Sequence, residues 1–255
     1  MDSTIREGHY AKKQLRNPFA LIRWSHQARF AKALELAADL KGRRLLDFGC
    51  GDATFLALLA ASANGPAEAV GAEIEAKVVE SNRARFSDRT TLRFVLQSEL
   101  TGPAHVGYYD AVTCMEVFEH VENQDTYLDL FVRLLRPGGQ VIVSVPVETG
   151  PAVVVKQAAR QVAGWMGAPH YPGVSPYTWS ELTRSVFAGE AQHVERPLHR
   201  DPDGFASYCH KGFNWKVLRG KLALRFEITG IAASPIGWLP PGANSQVWIS
   251  ARKRA

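Results

Sequence analysis

The stretch "RLLDFGCGDATF", Arg44 to Phe55, runs an apolar segment directly into an acid and two glycines. Leu45, Leu46 and Phe48 read as a short buried strand, and "ATFLALLAASA" after the bend reads as a helix of strong helix formers. Two glycines on either side of Cys50 describe a backbone that a ligand approaches closely, because a Cβ there blocks the approach. Asp47 narrows the choice of ligand. A dinucleotide-binding bend carries GxGxxG and receives a pyrophosphate, which Asp47 would repel; a carboxylate at this position suits a cation. Glu73 stands 22 positions after Gly51, close to the roughly 20 at which an acid meets ribose hydroxyls.

Outward from this bend the chain alternates. "AEAVGAEI", "TLRFVLQ", "YYDAVTCM" and "GQVIVSVP" read as strands, and "EAKVVESNRARF" and "NQDTYLDLFVRLLR" as helices between them. Strands apolar along most of their length, separated by helices, predict an α/β fold with a doubly wound, mostly parallel sheet covered on both faces. Residues 1–42 form an N-terminal helical segment and residues 43–147 the core. Residues 148–210, with helical pieces around "GAPHYPGVSPY" and "RPLHRDPDG", read as a cap insertion, and residues 211–255 as a last helix and strand pair within the same single domain.

A chain of 255 residues with 46% apolar and 22% charged residues can bury one substantial core. No apolar run reaches the roughly 20 residues of a membrane span, and "MDSTIREGHYAKKQLR" lacks the apolar centre of a signal peptide, so a cytoplasmic location is expected. Cys50, Cys114 and Cys209 are far apart and form neither a disulfide framework nor a thiolate zinc site. Charge is uneven: +6 over residues 1–45, −8 over 46–150 and +7 over 151–255. An acidic middle suits a cationic cofactor, and basic flanks suit an anionic substrate or an acidic membrane surface; solvated helix faces explain the same distribution.

"LLDFGCGDATF", "VGAEIE", "YYDAVTCMEVFEHV" and "LLRPGGQVIVSVP", in that order over roughly residues 40–147, resemble the class I S-adenosylmethionine-dependent methyltransferases. The resemblance is strongest to the small-molecule O-methyltransferases of the ubiquinone-biosynthesis type. It implies a seven-stranded Rossmann-like sheet ending in an antiparallel hairpin, and S-adenosyl-L-methionine as cofactor. Asp47, Gly49, Cys50 and Gly51 would then line the amino-acid end of the cofactor, with Asp47 acting on its ammonium. Glu73, followed by Ile74, would hold the ribose hydroxyls, Ser98 the adenine amino group, and Met115 the adenosine or methionyl part. Ala53 stands where the family usually has a third glycine, and Gln97, Ser98 and Glu99 replace its usual Gly-Asp.

"MEVFEHV" follows the fourth strand, at whose C-terminal end such sheets place ligands. On a helical turn Glu116, Glu119 and His120 would share one face, with three readings open. His120, with Glu116, is a general base or substrate orienter; Glu116, Glu119 and His120 bind a divalent ion such as Mg²⁺, as the resemblance to some ubiquinone-pathway and RNA-terminal enzymes suggests; or the cluster is scaffold. In the cap, Lys156 and Arg160 with Trp165 and Met166 read as a lid helix or a membrane-surface helix. Tyr171, Tyr177 and Trp179 offer aromatic walls; His170 completes a metal site, contacts substrate from the cap or is a plain loop residue, and His26 helps close the cofactor pocket from the N-terminal helix or lies on that helix's surface. Arg196, His199 and Arg200 are candidates for a substrate phosphate or carboxylate. The expected function is O-methylation of a small or lipid-linked, anionic acceptor, with peripheral membrane contact. RNA ribose methylation and a catalytically inactive cofactor-binding regulator are the alternatives; nucleic acid is disfavoured because no RNA-binding module or basic-aromatic interleaving is present. The sequence leaves the oligomeric state open.

Overall fold

The alternation of small and branched apolar residues in the strands is resolved into a seven-stranded sheet in a computed structural model, which describes residues 8–165, 177–192, 194–200 and 206–254. Five parallel strands come first: β1 (Arg44–Phe48), β2 (Glu68–Glu73), β3 (Leu92–Leu96), β4 (Tyr109–Met115) and β5 (Leu135–Pro146). Two more, β8 (Phe226–Ser234) and β9 (Gln246–Lys253), close the sheet in the order β3-β2-β1-β4-β5-β9-β8, with β9 antiparallel to both neighbours. This is the doubly wound architecture expected, with its C-terminal hairpin.

Period-2 alternation sends successive side chains to opposite faces. Leu46, Phe48, Val112 and Cys114 pack on one face against Leu128, Phe131 and Leu134 of α4 (Gln124–Leu134) and Leu218 and Leu222 of α7 (Trp215–Arg225). Leu45, Ala69, Ala111, Ile142 and Trp248 pack on the other face with Ala33 of α1 (Ala20–Leu36), Leu56 and Leu59 of α2 (Thr54–Ala60), and Val79 of α3 (Ala76–Arg85). Helix starts are set locally. Asn123 caps α4 by accepting from the Asp125 and Thr126 amides, and Asn214 caps α7 through the Lys216 amide.

Pro137, Gly138 and Gly139 lie inside β5 as an irregularity between the Tyr109–Leu135 and Ala111–Gln140 pairings, with Gly138 at φ +73°. The cap carries α5 (Ala152–Trp165) and α6 (Trp179–Val186), as its helical patterning predicts. It also contains a hairpin that the sequence pattern does not predict, β6 (Leu198–Arg200) paired with β7 (Ala206–Tyr208); three-residue strands are too short to show a period. Among the described residues no helix is long and apolar enough to cross a membrane.

Candidate functional site

The C-terminal ends of β1, β2 and β4 converge on the bend from Asp47 to Ala53. Gly49 and Gly51 sit at φ +73° and +53°, and Ala53 at +56°, so Ala53 occupies the left-handed conformation a glycine would take without strain. The two glycines do different work. A Cβ on Gly49 would clash with Val117 Cγ2, whereas one on Gly51 would meet nothing within 4 Å. Gly49 lets the bend pack on the β4 turn, and Gly51 leaves open space. We expect Gly49→Ala to lose about 2–4 kcal/mol in urea unfolding, from left-handed strain plus overpacking. Gly51→Ala should lose only about 1–2 kcal/mol while weakening the binding of any ligand seated against the bend, as calorimetry would show.

Neighbouring elements hold the bend. Glu73 accepts from the Gly51 amide (2.9 Å) and from the Ile74 amide (2.7 Å). Asn82 of α3 donates to the Gly51 carbonyl at 2.8 Å, and Arg85 donates to the Asp52 carbonyl. Asp52 accepts from the Tyr10 amide at 2.7 Å, drawing the N-terminal segment onto the loop. Tyr10 also contacts His26 (hydroxyl to Nδ1, 2.7 Å), which brings His26 to the same edge. Cys50 is buried, Ile74 exposed, and Met115 packs at the end of β4 against the α1 side of the core. Ser98 is exposed in the 3-10 turn Gln97–Thr101 after β3.

Asp47 is 1% exposed. One carboxylate oxygen accepts from the Thr113 hydroxyl at 2.7 Å and the other has no partner. Burial raises its pKa to about 7, the Thr113 hydrogen bond opposing and the Glu73 charge adding to the rise.

The segment from Glu116 to His120 is a turn, not a helix, so the shared helical face does not exist. Glu116 is at φ +57°. Its carboxylate is held by Arg29 of α1 at 3.3 Å and accepts from the Ser144 hydroxyl at 3.2 Å. Glu119 and His120 instead meet His210, a residue sequence reasoning missed. The two imidazole Nε2 atoms are 3.2 Å apart, and each is 3.9 Å from Glu119 Oε1. His120 Nδ1 lies 2.9 Å from the Tyr208 carbonyl oxygen, which can only accept, so Nδ1 carries a proton and Nε2 is the ring nitrogen turned toward the cluster. Burial and the neighbouring His120 lower His210 to about 4, so it is neutral at physiological pH.

Glu119 is fully buried and neither carboxylate oxygen has a hydrogen-bond partner. Burial, with the Glu116 charge adding, pushes its pKa well up. Such a group calls for a proton or a cation. Among the described residues, Glu119, His120 and His210 form the group able to hold an ion, their donor atoms within 4.8 Å of one another. Two imidazoles and one carboxylate fit borderline divalent ions such as Co²⁺ and Zn²⁺ best, and the harder Mn²⁺ less closely. They fit poorly with Mg²⁺, which takes oxygen ligands. The side chains brought together thus differ from the expected trio: His210 lies with Glu119 and His120, while Glu116 is in its ion pair with Arg29.

Other expectations shift as well. The Lys156 ammonium donates to the Val147 and Ser245 carbonyls and pairs with buried Glu148 at 3.2 Å, anchoring α5 inward instead of facing a lipid headgroup. Arg196 is turned onto the Glu119 and Cys209 carbonyls, so it is not free for a substrate phosphate. The Tyr177 hydroxyl accepts from the Gly212 amide beside the cluster, while Trp179 projects into solvent. His199 pairs with Ser207 in the small hairpin. His170, Tyr171 and Met166 lie outside the described residues, as do the side chains of Arg160, Trp165 and Arg200.

A family model described as a methyltransferase domain matches residues 23–186. The chain is 36% identical over 113 residues to a ubiquinone biosynthesis O-methyltransferase of Bordetella avium, covering 43% of this chain and 45% of that one. It is 29% identical over 159 residues to a protein of the same name from Pectobacterium carotovorum, covering 62% of each. The alignments thus span from under half to under two thirds of these relatives. Among solved structures, an S-adenosylmethionine-dependent methyltransferase from Mesorhizobium loti superposes with TM-score 0.53 at 14% identity, over 87% of this chain and 96% of that one. The N-methyltransferase NodS of Bradyrhizobium japonicum, solved with S-adenosyl-L-homocysteine, superposes with TM-score 0.55 at 12% identity over the whole of both chains. A family match over well more than half the chain, on a bend and sheet of this form, makes this protein a member of the methyltransferase-domain family with the S-adenosylmethionine-dependent fold.

Proposed function

We infer that the protein transfers the methyl group of S-adenosylmethionine to a hydroxyl oxygen of a small or lipid-linked metabolite. The observation that carries this reading is the Glu119–His120–His210 cluster, formed where the turn after β4 meets the segment that follows β7. The sulfonium is already an activated donor, so the protein's part is alignment and control of the acceptor's proton.

The bend's chemistry supports a cationic donor. Glu73 keeps accepting capacity on both oxygens beyond its two amide bonds, enough for a ribose diol. Asp47 offers negative charge for the ammonium. Arg29, 9% exposed beside Tyr10 and Glu116, is the cation suited to the donor's carboxylate. At the acceptor, His120 Nε2 is a proton acceptor in its neutral tautomer. A divalent ion held by Glu119, His120 and His210 would lower the pKa of a bound hydroxyl instead.

Support for an acceptor with an apolar part comes from the rim. Phe19, Leu21 and Trp24 at the start of α1, Val155 on α5 and Trp238 in the β8–β9 loop are all exposed, and these elements meet the C-terminal edge of the sheet. Peripheral membrane contact by this rim belongs to the same reading.

The test is incubation with methyl-labelled donor and a panel of phenols and catechols with and without alkyl tails, before and after chelation and with Mn²⁺, Co²⁺, Zn²⁺ or Mg²⁺ restored. Label in a methyl ether, lost on chelation and restored by Mn²⁺, Co²⁺ or Zn²⁺ better than by Mg²⁺, is the expected result. Chelator-insensitive turnover would assign the chemistry to His120 as base. Label on nitrogen or carbon alone would overturn oxygen transfer.

A further inference from the structure

Between the His120 turn and the His210 segment lies one guanidinium. Arg196 donates through a terminal nitrogen to the Glu119 carbonyl and, at 3.3 Å, through the same nitrogen to the Cys209 carbonyl. These are the residues immediately before His120 and His210. Its carbon lies 4.5 Å from the Tyr208 ring centre and 5.0 Å from that of Phe213, so the plane is flanked by two aromatics. The Tyr208 amide donates to the His120 carbonyl at 3.0 Å, completing the join between the two segments. Ninety positions separate the histidines in the chain; besides Arg196, the His120 Nδ1 contact to the Tyr208 carbonyl at 2.9 Å also ties the His120 ring to this segment, and the imidazoles sit 3.2 Å apart.

We propose that Arg196 is a positioning residue: by holding the carbonyl before each histidine with one terminal nitrogen, its plane clamped between two rings, it sets the spacing of His120 and His210. This deepens the reading above and rests on it, because the spacing matters only if the cluster binds an ion or a proton. A lysine reproduces the role only in part: one ammonium can donate to two carbonyls, but it lacks the planar group that stacks between the two rings and holds the nitrogen in place.

A cleft of about 750 Å³ borders Arg196, with Val121, Leu198, Tyr208 and Phe213 in its wall. It gives a small guanidinium compound access to the space an Arg196→Ala change would open. The experiment uses full-length wild type, R196K and R196A. S-adenosylhomocysteine binding by calorimetry reports an intact cofactor bend and should stay within twofold. Co²⁺ titration followed by its visible d–d bands reads the cluster. We expect R196A to weaken Co²⁺ binding at least tenfold and to change the band pattern, R196K to fall between, and ethylguanidine, but not ethylamine, to restore R196A. Wild-type affinity and spectrum in R196A with S-adenosylhomocysteine binding retained would overturn the proposal. Failure of wild type to bind Co²⁺ would sink the metal reading instead. Crystal structures then decide the positioning role: parted imidazoles in R196A support it, and an unchanged 3.2 Å contact overturns it. If R196A does not fold, the same measurements on R196K serve, with unaltered Co²⁺ affinity and an unchanged contact counting against.

Discussion

Replacing Glu73 by Ala should lower the affinity for S-adenosylhomocysteine by two to three orders of magnitude. The carboxylate has two tasks: it anchors the Gly51 and Ile74 amides, and it presents its remaining lone pairs to a diol. A hydrogen bond to a charged group contributes about 1.5–3 kcal/mol, so losing a pair of them corresponds to about 3–6 kcal/mol, with repacking recovering part. The free protein should lose less than the complex, because the Gly51 carbonyl stays tied to Asn82 and the Asp52 carbonyl to Arg85. Glu73→Gln, which keeps one acceptor oxygen but no charge, should fall between. Calorimetry at fixed pH checks both. Wild-type affinity in the Ala variant would show that the sugar is held elsewhere and would remove the assignment of the β2 acid.

Local chemistry was readable in the sequence, and spatial chemistry was not. Asp47, Gly49, Gly51 and Glu73 are legible as neighbours because their meeting depends on where a bend falls relative to two consecutive strands, and that relation is written in spacing. Arg29 and His210 carry no such signal. Arg29 reaches Glu116 only because α1 lies across the end of β4, and His210 reaches His120 only because the cap returns through a three-residue strand. The turn over residues 116–120 misled for a physical reason: acids and a histidine three and four apart imitate a helical face, yet Glu116 adopts φ +57°. One cue was present, since Asn123 is a strong helix cap and leaves seven residues after Met115, room for a turn and not for a further helix of useful length. Lys156 shows the converse: its helix reads as a lid or a membrane-surface helix, and nothing in the pattern announces the three acceptors at the end of the sheet that draw its long side chain inward.

Asp47→Asn should separate binding from stability in opposite directions. In the free protein, burial lifts Asp47 from 3.8 to about 7. The folded state therefore retains a proton that the unfolded chain has released between about pH 4 and pH 7, and stability falls as pH rises through that window. The cost is complete above about pH 7. An Asn at this position does not titrate, and it can still accept from the Thr113 hydroxyl. At pH 8 the variant should be more stable than wild type by on the order of 2–4 kcal/mol, since each pH unit separating the folded and unfolded pKa corresponds to about 1.36 kcal/mol; near pH 4 the difference should vanish. Donor binding should move the other way. A cationic ligand selects ionised Asp47, so wild-type affinity should weaken by up to about tenfold for each pH unit below 7, while the Asn variant is weaker by roughly 10- to 100-fold at pH 8 and nearly flat with pH in this range. Thermal melts and S-adenosylhomocysteine calorimetry from pH 5.5 to 8.5 test both arms. Equal affinities at pH 8 would detach Asp47 from the ammonium, and a variant less stable than wild type at pH 8 would mean that the buried carboxylate has a compensating partner in the free protein.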